Sequence, residues 1–323
     1  MHLSIFLPIA LVVWWSSTTF VEYIARPAYP VPAPGSAILI TGARSGIGLS
    51  AAKRLSKEGF FVFASTRTAQ AAEAISAMHI SNMVGVKLDL LSEEDMVQVE
   101  QMIRQWCAKT GNRFAGVVHN GIAIGKSGFV ELTRLEEAKT FHASGLEAVR
   151  LLTQKLLPLI RAHHGRVVGI SSFAQLVPMP GGSAYSETKA ALAMFLNCLR
   201  LELYPAGCAV VNIAPGAIST GLMTETHVRK WFDEIYSPPA LNEAYPFYAA
   251  KAKESVDKMI TTTTFAWQTT DKGSTDDLIL EAFSSPRPPF TVFPGSFGIP
   301  AKLLAQVLSY LPESVVFRLL TEM

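Results

Sequence analysis

In Tyr185-Ser186-Glu187-Thr188-Lys189 a phenol and an ammonium stand at i and i+4, on one face of a helix. A phenol with a pKa near 10 is a poor acid or base at neutral pH. A cation on the neighbouring turn favours the phenolate and makes the pair a usable proton donor and acceptor. Ser172 lies thirteen residues upstream, just after the apolar run that ends at Ile170, where its hydroxyl is placed to hold a carbonyl oxygen beside the tyrosine. Alone, Tyr-x-x-x-Lys on a helix is an ordinary surface pair. Its weight comes from its companions.

The first companion is a glycine-rich turn. Thr41-Gly42-Ala43-Arg44-Ser45-Gly46-Ile47-Gly48 sits where the apolar strand Ala37–Thr41 hands over to a helical pattern, Leu49 to Glu58. Glycines there permit a tight turn and let backbone N–H groups close on a pyrophosphate at the helix N-terminus. A plain glycine-rich turn is the alternative, and the strand before and helix after argue against it. Charge then bears on the cofactor. An acidic side chain at the end of the second strand holds the 2′-hydroxyl of NAD, whereas a 2′-phosphate calls for arginine. Here that end reads Ala64-Ser65-Thr66-Arg67, without a carboxylate, and Arg44 adds a second cation in the loop. The expectation is NADP(H) in preference to NAD(H), against the alternative that both arginines are solvated surface charges.

The elements that must position these groups alternate regularly. Strands are expected at Phe60–Ser65, Met83–Leu88, Phe114–His119, Arg166–Ile170 and Cys208–Ala214. Between them lie helices at Ala69–His79, from the Ser92 cap to about Thr110, from about Leu135 to His163, and from Ser183 to Tyr204. Asp276–Phe283 reads as a further helix and Phe290–Phe293 as a last strand. Repeated β–α units of this kind specify an α/β fold, a doubly wound parallel sheet with right-handed crossovers.

With 49% hydrophobic and 17% charged residues and a net charge of +2, the chain has too much apolar content for disorder and no electrostatic case for nucleic acid. Three cysteines make no disulfide framework, and neither Cys-x-x-Cys nor a His/Cys cluster suggests a metal; Cys107, Cys198 and Cys208 read as small core residues. Leu3 to Val21 holds no charged residue, which reads as a single-pass transmembrane helix over 1–25, with a cleaved signal peptide as the alternative. Arg26 after the span and no Lys or Arg before it favour a cytosolic domain. Residues 26–35 are proline-rich and read as a semi-rigid linker. The aromatics Trp231, Phe232, Tyr236, Tyr245, Phe247 and Tyr248 mark a substrate lid over about 220–270, and apolar residues at helical spacing mark an amphipathic helix over 296–323.

From Ser36 to Gly295 the chain resembles the short-chain dehydrogenases/reductases, and among them the membrane-associated steroid- and retinol-dehydrogenase-like subgroup. The segment holding Gly42, Arg44, Ser45, Gly46, Ile47 and Gly48 matches that family's cofactor loop, with Arg67 close behind. Asp89 matches its adenine contact, Asn120 its adenosine-side position, and Ser172, Tyr185 and Lys189 its catalytic residues. Pro215, Gly216, Ile218 and Thr220 resemble the segment that holds the nicotinamide. The resemblance implies that Tyr185 is the general acid in reduction, Ser172 orients the substrate, and Lys189 binds the nicotinamide ribose and lowers the tyrosine pKa. It also implies a lipophilic alcohol, aldehyde or ketone as hydrophobic small-molecule substrate, a homo-oligomer formed through the long helices around the fifth strand, and, in a eukaryote, the endoplasmic reticulum membrane.

Two departures stand out. The family's Asn-Asn-Ala-Gly appears as His119-Asn120-Gly121, as if the alanine were deleted. Its fourth catalytic residue, an asparagine, falls at Ser144 or Gly145, depending on where an apparent extra residue before Thr153 is placed. These departures motivate a competing expectation: a membrane-tethered NADP(H)-binding sensor with little or no turnover.

Overall fold

A computed structural model describes residues 20–123, 128–178, 181–216, 226, 230, 272–295, 304, 307–308 and 310–322. In chain order its elements are β1 (Ala37–Ile40), α1 (Gly46–Lys57), β2 (Phe61–Thr66), α2 (Ala69–Ser76), β3 (Met83–Lys87), α3 (Glu93–Thr110) and β4 (Phe114–His119). They continue with α4 (Leu135–His142), a π-turn (Ala143–Glu147), α5 (Ala148–His163), β5 (Arg166–Ile170), α6 (Ser183–Leu203) and β6 (Ala209–Ile213). Last come α7 (Lys272–Ser284), β7 (Thr291–Val292) and α8 (Glu313–Glu322). The strands pair in parallel in the order β3-β2-β1-β4-β5-β6-β7.

Both faces of the sheet are covered, which is why its strands are runs of Val, Ile and Ala rather than alternating patterns. Ile38, Ile40, Val118, Val168 and Val211 pack beneath Ala51 and Leu55 of α1 and Ile279 and Phe283 of α7. Leu39, Phe63, Val117, Val167 and Val210 pack against Val99 and Ile103 of α3, Leu152 and Leu156 of α5, and Leu192 and Leu196 of α6. Each such side chain contributes roughly 1.5–3 kcal/mol by leaving water. The α3 boundary follows its cap: the Ser92 hydroxyl accepts from the Asp95 N–H at 3.1 Å, and Gly111 ends the helix at φ +71°.

Three sequence expectations change. The single helix expected over Leu135–His163 is broken by the π-turn, which absorbs one extra residue and accounts for the apparent insertion before Thr153. Cys107 and Cys208 are buried as expected, but Cys198 is exposed on α6. The proline-rich stretch, expected as a semi-rigid linker, is an arm docked on the sheet domain. Fully buried Arg166, at the start of β5, donates to the carbonyls of Ala282 and Ser285, both at 2.7 Å, and of Pro30 at 2.8 Å. Arg287 donates to the carbonyls of Arg26 at 2.7 Å and Ile24 at 3.1 Å, and buried Tyr29 donates its N–H to Pro286 at 2.8 Å. Among the described residues no helix is long and apolar enough to cross a membrane. The expected anchor falls mostly on residues 1–19, and the lid falls on 220–270; apart from Thr226 and Lys230 in the latter, both lie outside the described residues. Residues 20–25 are helical, with Phe20, Val21, Tyr23 and Ile24 exposed.

Arg166→Leu would leave the carbonyls of Ala282, Ser285 and Pro30, the first of them on a buried residue, without their donor, each bond contributing about 1 kcal/mol. Urea unfolding of this variant is expected to show a loss of about 3 kcal/mol, and limited proteolysis faster cleavage ahead of Pro34. A wild-type midpoint and cleavage rate would mean that the arm is not clamped.

Candidate active site

The strand order reverses between β1 and β4, and there the two halves of the sheet open a crevice at their carboxyl ends. Thr41 joins the halves. Its hydroxyl accepts from the N–H groups of Asn120 at 3.0 Å and Gly121 at 2.9 Å. The Asn120 side-chain amide donates to the carbonyls of Thr41 at 3.0 Å and Gly42 at 3.1 Å. Glycine is required at these contacts: a Cβ on Gly42 would lie 2.6 Å from the Gly121 Cα, and one on Gly48 2.4 Å from the Gly42 carbonyl oxygen. Gly42 and Gly46 also take φ of +66° and +58°, which glycine adopts without strain. The missing alanine is thereby accommodated, since Gly121 follows Asn120 directly and lies flat against Gly42.

The glycine loop leads into α1, whose first turn carries no acidic residue to repel an anion. Ser45 precedes it in extended conformation with its hydroxyl not used as a cap, and Ile47 is half-buried. A backbone bond from Ala43 N–H to the Ser65 carbonyl, 2.8 Å, holds the loop beside the end of β2. Arg44 and Arg67 therefore share one rim of the crevice, both exposed. Asp89 lies just past β3, half-buried, with a carboxylate oxygen accepting from Leu91 N–H at 3.0 Å. Its own N–H donates to Asp95 at 2.9 Å. Burial alone would raise the Asp95 pKa, but the Asp89 N–H and Lys87 outweigh it and hold the carboxyl below its ordinary value. This turn is thus fixed beside the crevice.

Across the crevice, α6 carries the phenol and the ammonium. Lys189 is 5% exposed, and its Nζ donates to the Ile170 carbonyl at the end of β5 at 2.8 Å. Burial lowers its pKa to about 8. The ammonium lies 5.8 Å from the Tyr185 ring centroid, and Phe141 packs edge-on against the other flank at 6.1 Å. Burial pushes the Tyr185 phenol up, and hydrogen bonding to Ser172 pulls it part of the way back. The hydroxyl of Ser172 thus favours the phenolate. Pro215 and Gly216 border the same end of the sheet, their segment joined to the Ser172 turn by a 2.8 Å bond from Phe173 N–H to the Pro215 carbonyl. Ile218 and Thr220 lie outside the described residues.

Sequence reasoning did not foresee the roles of Thr41, Phe141 and Ser144. The Ser144 hydroxyl donates to the Thr140 carbonyl at 2.9 Å and accepts from Ala123 N–H at 3.0 Å, so it braces the π-turn against the loop after β4. Gly145 leaves space for α6, because a Cβ there would lie 2.6 Å from the Thr188 methyl. Neither residue brings a side-chain amide to Lys189. Beneath Asn120, buried His119 donates from Nε2 to the Thr153 hydroxyl at 2.9 Å, since that hydroxyl spends its own proton on the Val149 carbonyl. Burial lowers the His119 pKa to about 3 and keeps the ring neutral.

The buried lysine has a measurable consequence. Its folded pKa of about 8 lies below its ordinary 10.5. Above pH 8 the unfolded chain thus binds more protons than the folded one, and stability rises with pH. Burial of Cys107 and Cys208 opposes this above about 9, where thiols in the unfolded chain ionise. Between pH 8 and 9, wild type is expected to gain stability relative to Lys189→Met; parallel denaturation midpoints across that window would contradict the assignment.

Comparison with known proteins agrees with this geometry. The family described as short chain dehydrogenase matches residues 36–230, more than half of the chain. Mouse (Mus musculus) D-beta-hydroxybutyrate dehydrogenase, mitochondrial, is 34% identical over 57% of this chain and 54% of its own length. The chain therefore spans about half the length of that relative. Human (Homo sapiens) retinol dehydrogenase 16 is 30% identical over 86% of both chains. The solved structure of 3-ketoacyl-(acyl-carrier-protein) reductase from Brucella melitensis, complexed with NADH, is 28% identical with a TM-score of 0.54, covering 62% of this chain and 83% of that one. A glycine loop braced through Asn120 and a serine, tyrosine and lysine gathered at the end of β5 are thus found in a chain that belongs to the short chain dehydrogenase family.

Proposed function

We propose that the protein is an NADP(H)-dependent oxidoreductase that interconverts a lipophilic secondary alcohol, aldehyde or ketone, of the steroid, retinoid or other lipid class. The observation that carries this reading is that Ser172, just past β5, and Tyr185 and Lys189 on α6 come together at the same end of the parallel sheet as the glycine loop. When bound at this crevice, a nicotinamide would supply or accept hydride at the substrate carbon. In reduction, Tyr185 gives its proton to the oxygen of the substrate; in oxidation it takes that proton back. Ser172 donates a hydrogen bond to the same oxygen and orients it. Lys189 is the residue placed to hold the ribose hydroxyls, with the Ile170 carbonyl as its partner in the ligand-free chain. The first-turn N–H groups of α1 would take the pyrophosphate, Asp89 the adenine side, and Pro215 and Gly216, with Ile218 and Thr220 beyond them, the nicotinamide.

Arg44 and Arg67, with no carboxylate in the stretch Ala64–Arg67 that ends β2, support the 2′-phosphate and hence NADP(H). The names of the relatives support chemistry at a hydroxyl- or carbonyl-bearing carbon, and retinol dehydrogenase 16 supports a lipophilic one. The apolar wall that Phe141 makes against Tyr185 suits such a substrate. Exposed Phe20, Val21, Tyr23 and Ile24, continuing the uncharged stretch from Leu3, support tethering to a membrane. Exposed Met194 and Leu201 on α6 support self-association through that helix. A second reading, a tethered NADP(H) sensor without turnover, rests on Ser144 being committed to Ala123.

NADPH oxidation with a panel of hydrophobic ketones and aldehydes separates the two. Tyr185→Phe is expected to lower kcat by about 100- to 10,000-fold while NADPH still binds. Tight NADPH binding with no turnover across the panel would favour the sensor. Arg67→Ala is expected to weaken NADPH by about 10-fold or more and to leave NADH unchanged. An unaltered NADPH Kd would remove the 2′-phosphate assignment.

A further inference from the structure

Ser172 is presented by a short turn, and that turn is held from below by a buried polar group that the proposed chemistry does not use. Asn212 lies on β6 with 1% of its surface exposed. Its side chain points to the same face of the sheet as Val210, opposite to Val211 and Ile213. A buried amide of this kind needs partners for both its oxygen and its nitrogen. Both partners come from the serine turn. The Ser171 hydroxyl donates to Asn212 Oδ1 at 2.5 Å, and Asn212 Nδ2 donates to Gln175 Oε1 at 3.1 Å.

These two contacts bracket Ser172. Ser171 precedes it and Gln175 closes the single 3₁₀ turn Phe173–Gln175, whose last N–H donates to the Ser172 carbonyl at 3.0 Å. The strand end is also bonded through the backbone: Ser171 N–H donates to the Ile213 carbonyl and Phe173 N–H to the Pro215 carbonyl, both at 2.8 Å. Backbone bonds to β6 fix the height of the turn above the sheet. Among the described residues only Asn212 ties both its ends by side chains, and so opposes rotation of the turn about the strand axis. That rotation would swing the Ser172 hydroxyl away from Tyr185.

We propose that Asn212 is a positioning residue: its amide, held between Ser171 and Gln175, sets the angle at which Ser172 meets Tyr185. The inference rests on the reading of Ser172 and Tyr185 as the catalytic pair, and the test separates the two. Phenolate absorbance of the full-length protein is titrated against pH, and the Tyr185 contribution is taken as wild type minus Tyr185→Phe. Ser172→Ala removes the hydrogen bond that favours the phenolate, so the Tyr185 titration moves to higher pH. Asn212→Ala and Gln175→Leu are each expected to produce at least half of that shift, and Asn212→Ala to add nothing in the Ser172→Ala background. NADPH affinity is expected to stay at the wild-type value in both. Circular dichroism checks the fold; should Asn212→Ala fail to fold, Gln175→Leu, at a half-exposed position, carries the test. Wild-type titrations in the folded variants, with Ser172→Ala shifted, would overturn the role of Asn212 alone. An unshifted Ser172→Ala would overturn the pairing of Ser172 with Tyr185 and, with it, this inference.

Discussion

The bond from the Lys189 ammonium to the Ile170 carbonyl fixes how the chemistry-bearing helix meets the sheet. A lysine buried to this degree must find an acceptor, because an unpaired ammonium in a low-dielectric interior is far costlier than the bond itself. The carbonyl it finds ends β5, two residues before Ser172, while Tyr185 lies one helical turn before the lysine. One bond therefore triangulates all three side chains. Small residues let the helix come close enough to make it: a Cβ on Gly169 would lie 2.4 Å from Leu196, and one on Gly145 would strike Thr188. Bulk at either position would push α6 off the sheet and break the triangle before it touched any reacting group.

The opposite wall of the crevice is built on a different economy. Thr41 and Asn120 spend their side chains on the backbone of the neighbouring loop, so the glycine turn is stiff although its residues are small. Such pre-organisation matters for phosphate binding, because N–H groups already pointing into the crevice lose little entropy when an anion arrives. The polar contacts of Ser144 with the loop after β4 extend the same bracing to the π-turn. In the π-turn a serine hydroxyl thus joins backbone to backbone.

Local pattern made much of this legible in the sequence. β4 and β5 were readable to the residue, and the Ser92 cap to its hydrogen bond, because burial on both faces and capping chemistry are written in consecutive residues. Glycine spacing, the tyrosine–lysine pair and the serine after β5 were equally local signals, and the fold brings them to one end of the sheet. What the sequence hid depends on partners far along the chain. Arg166 gathers carbonyls from residues 30, 282 and 285, and nothing in the run Arg166–Ile170 announces it. The π-turn showed only as a residue too many, and Asn212 as one polar residue in an apolar strand. Spacing alone also did not show that the Lys189 ammonium bonds the Ile170 carbonyl, or that Ser172 hydrogen-bonds the phenol.

A crystal structure of the full chain with NADPH tests most directly whether a nicotinamide binds between the glycine loop and Tyr185. The expected density puts the pyrophosphate on the first-turn N–H groups of α1, the adenosine 2′-phosphate at Arg44 and Arg67, and the nicotinamide C4 toward the Tyr185 and Ser172 hydroxyls, with Lys189 on the ribose. Cofactor density elsewhere, or a nicotinamide whose C4 faces away from Tyr185, would contradict it.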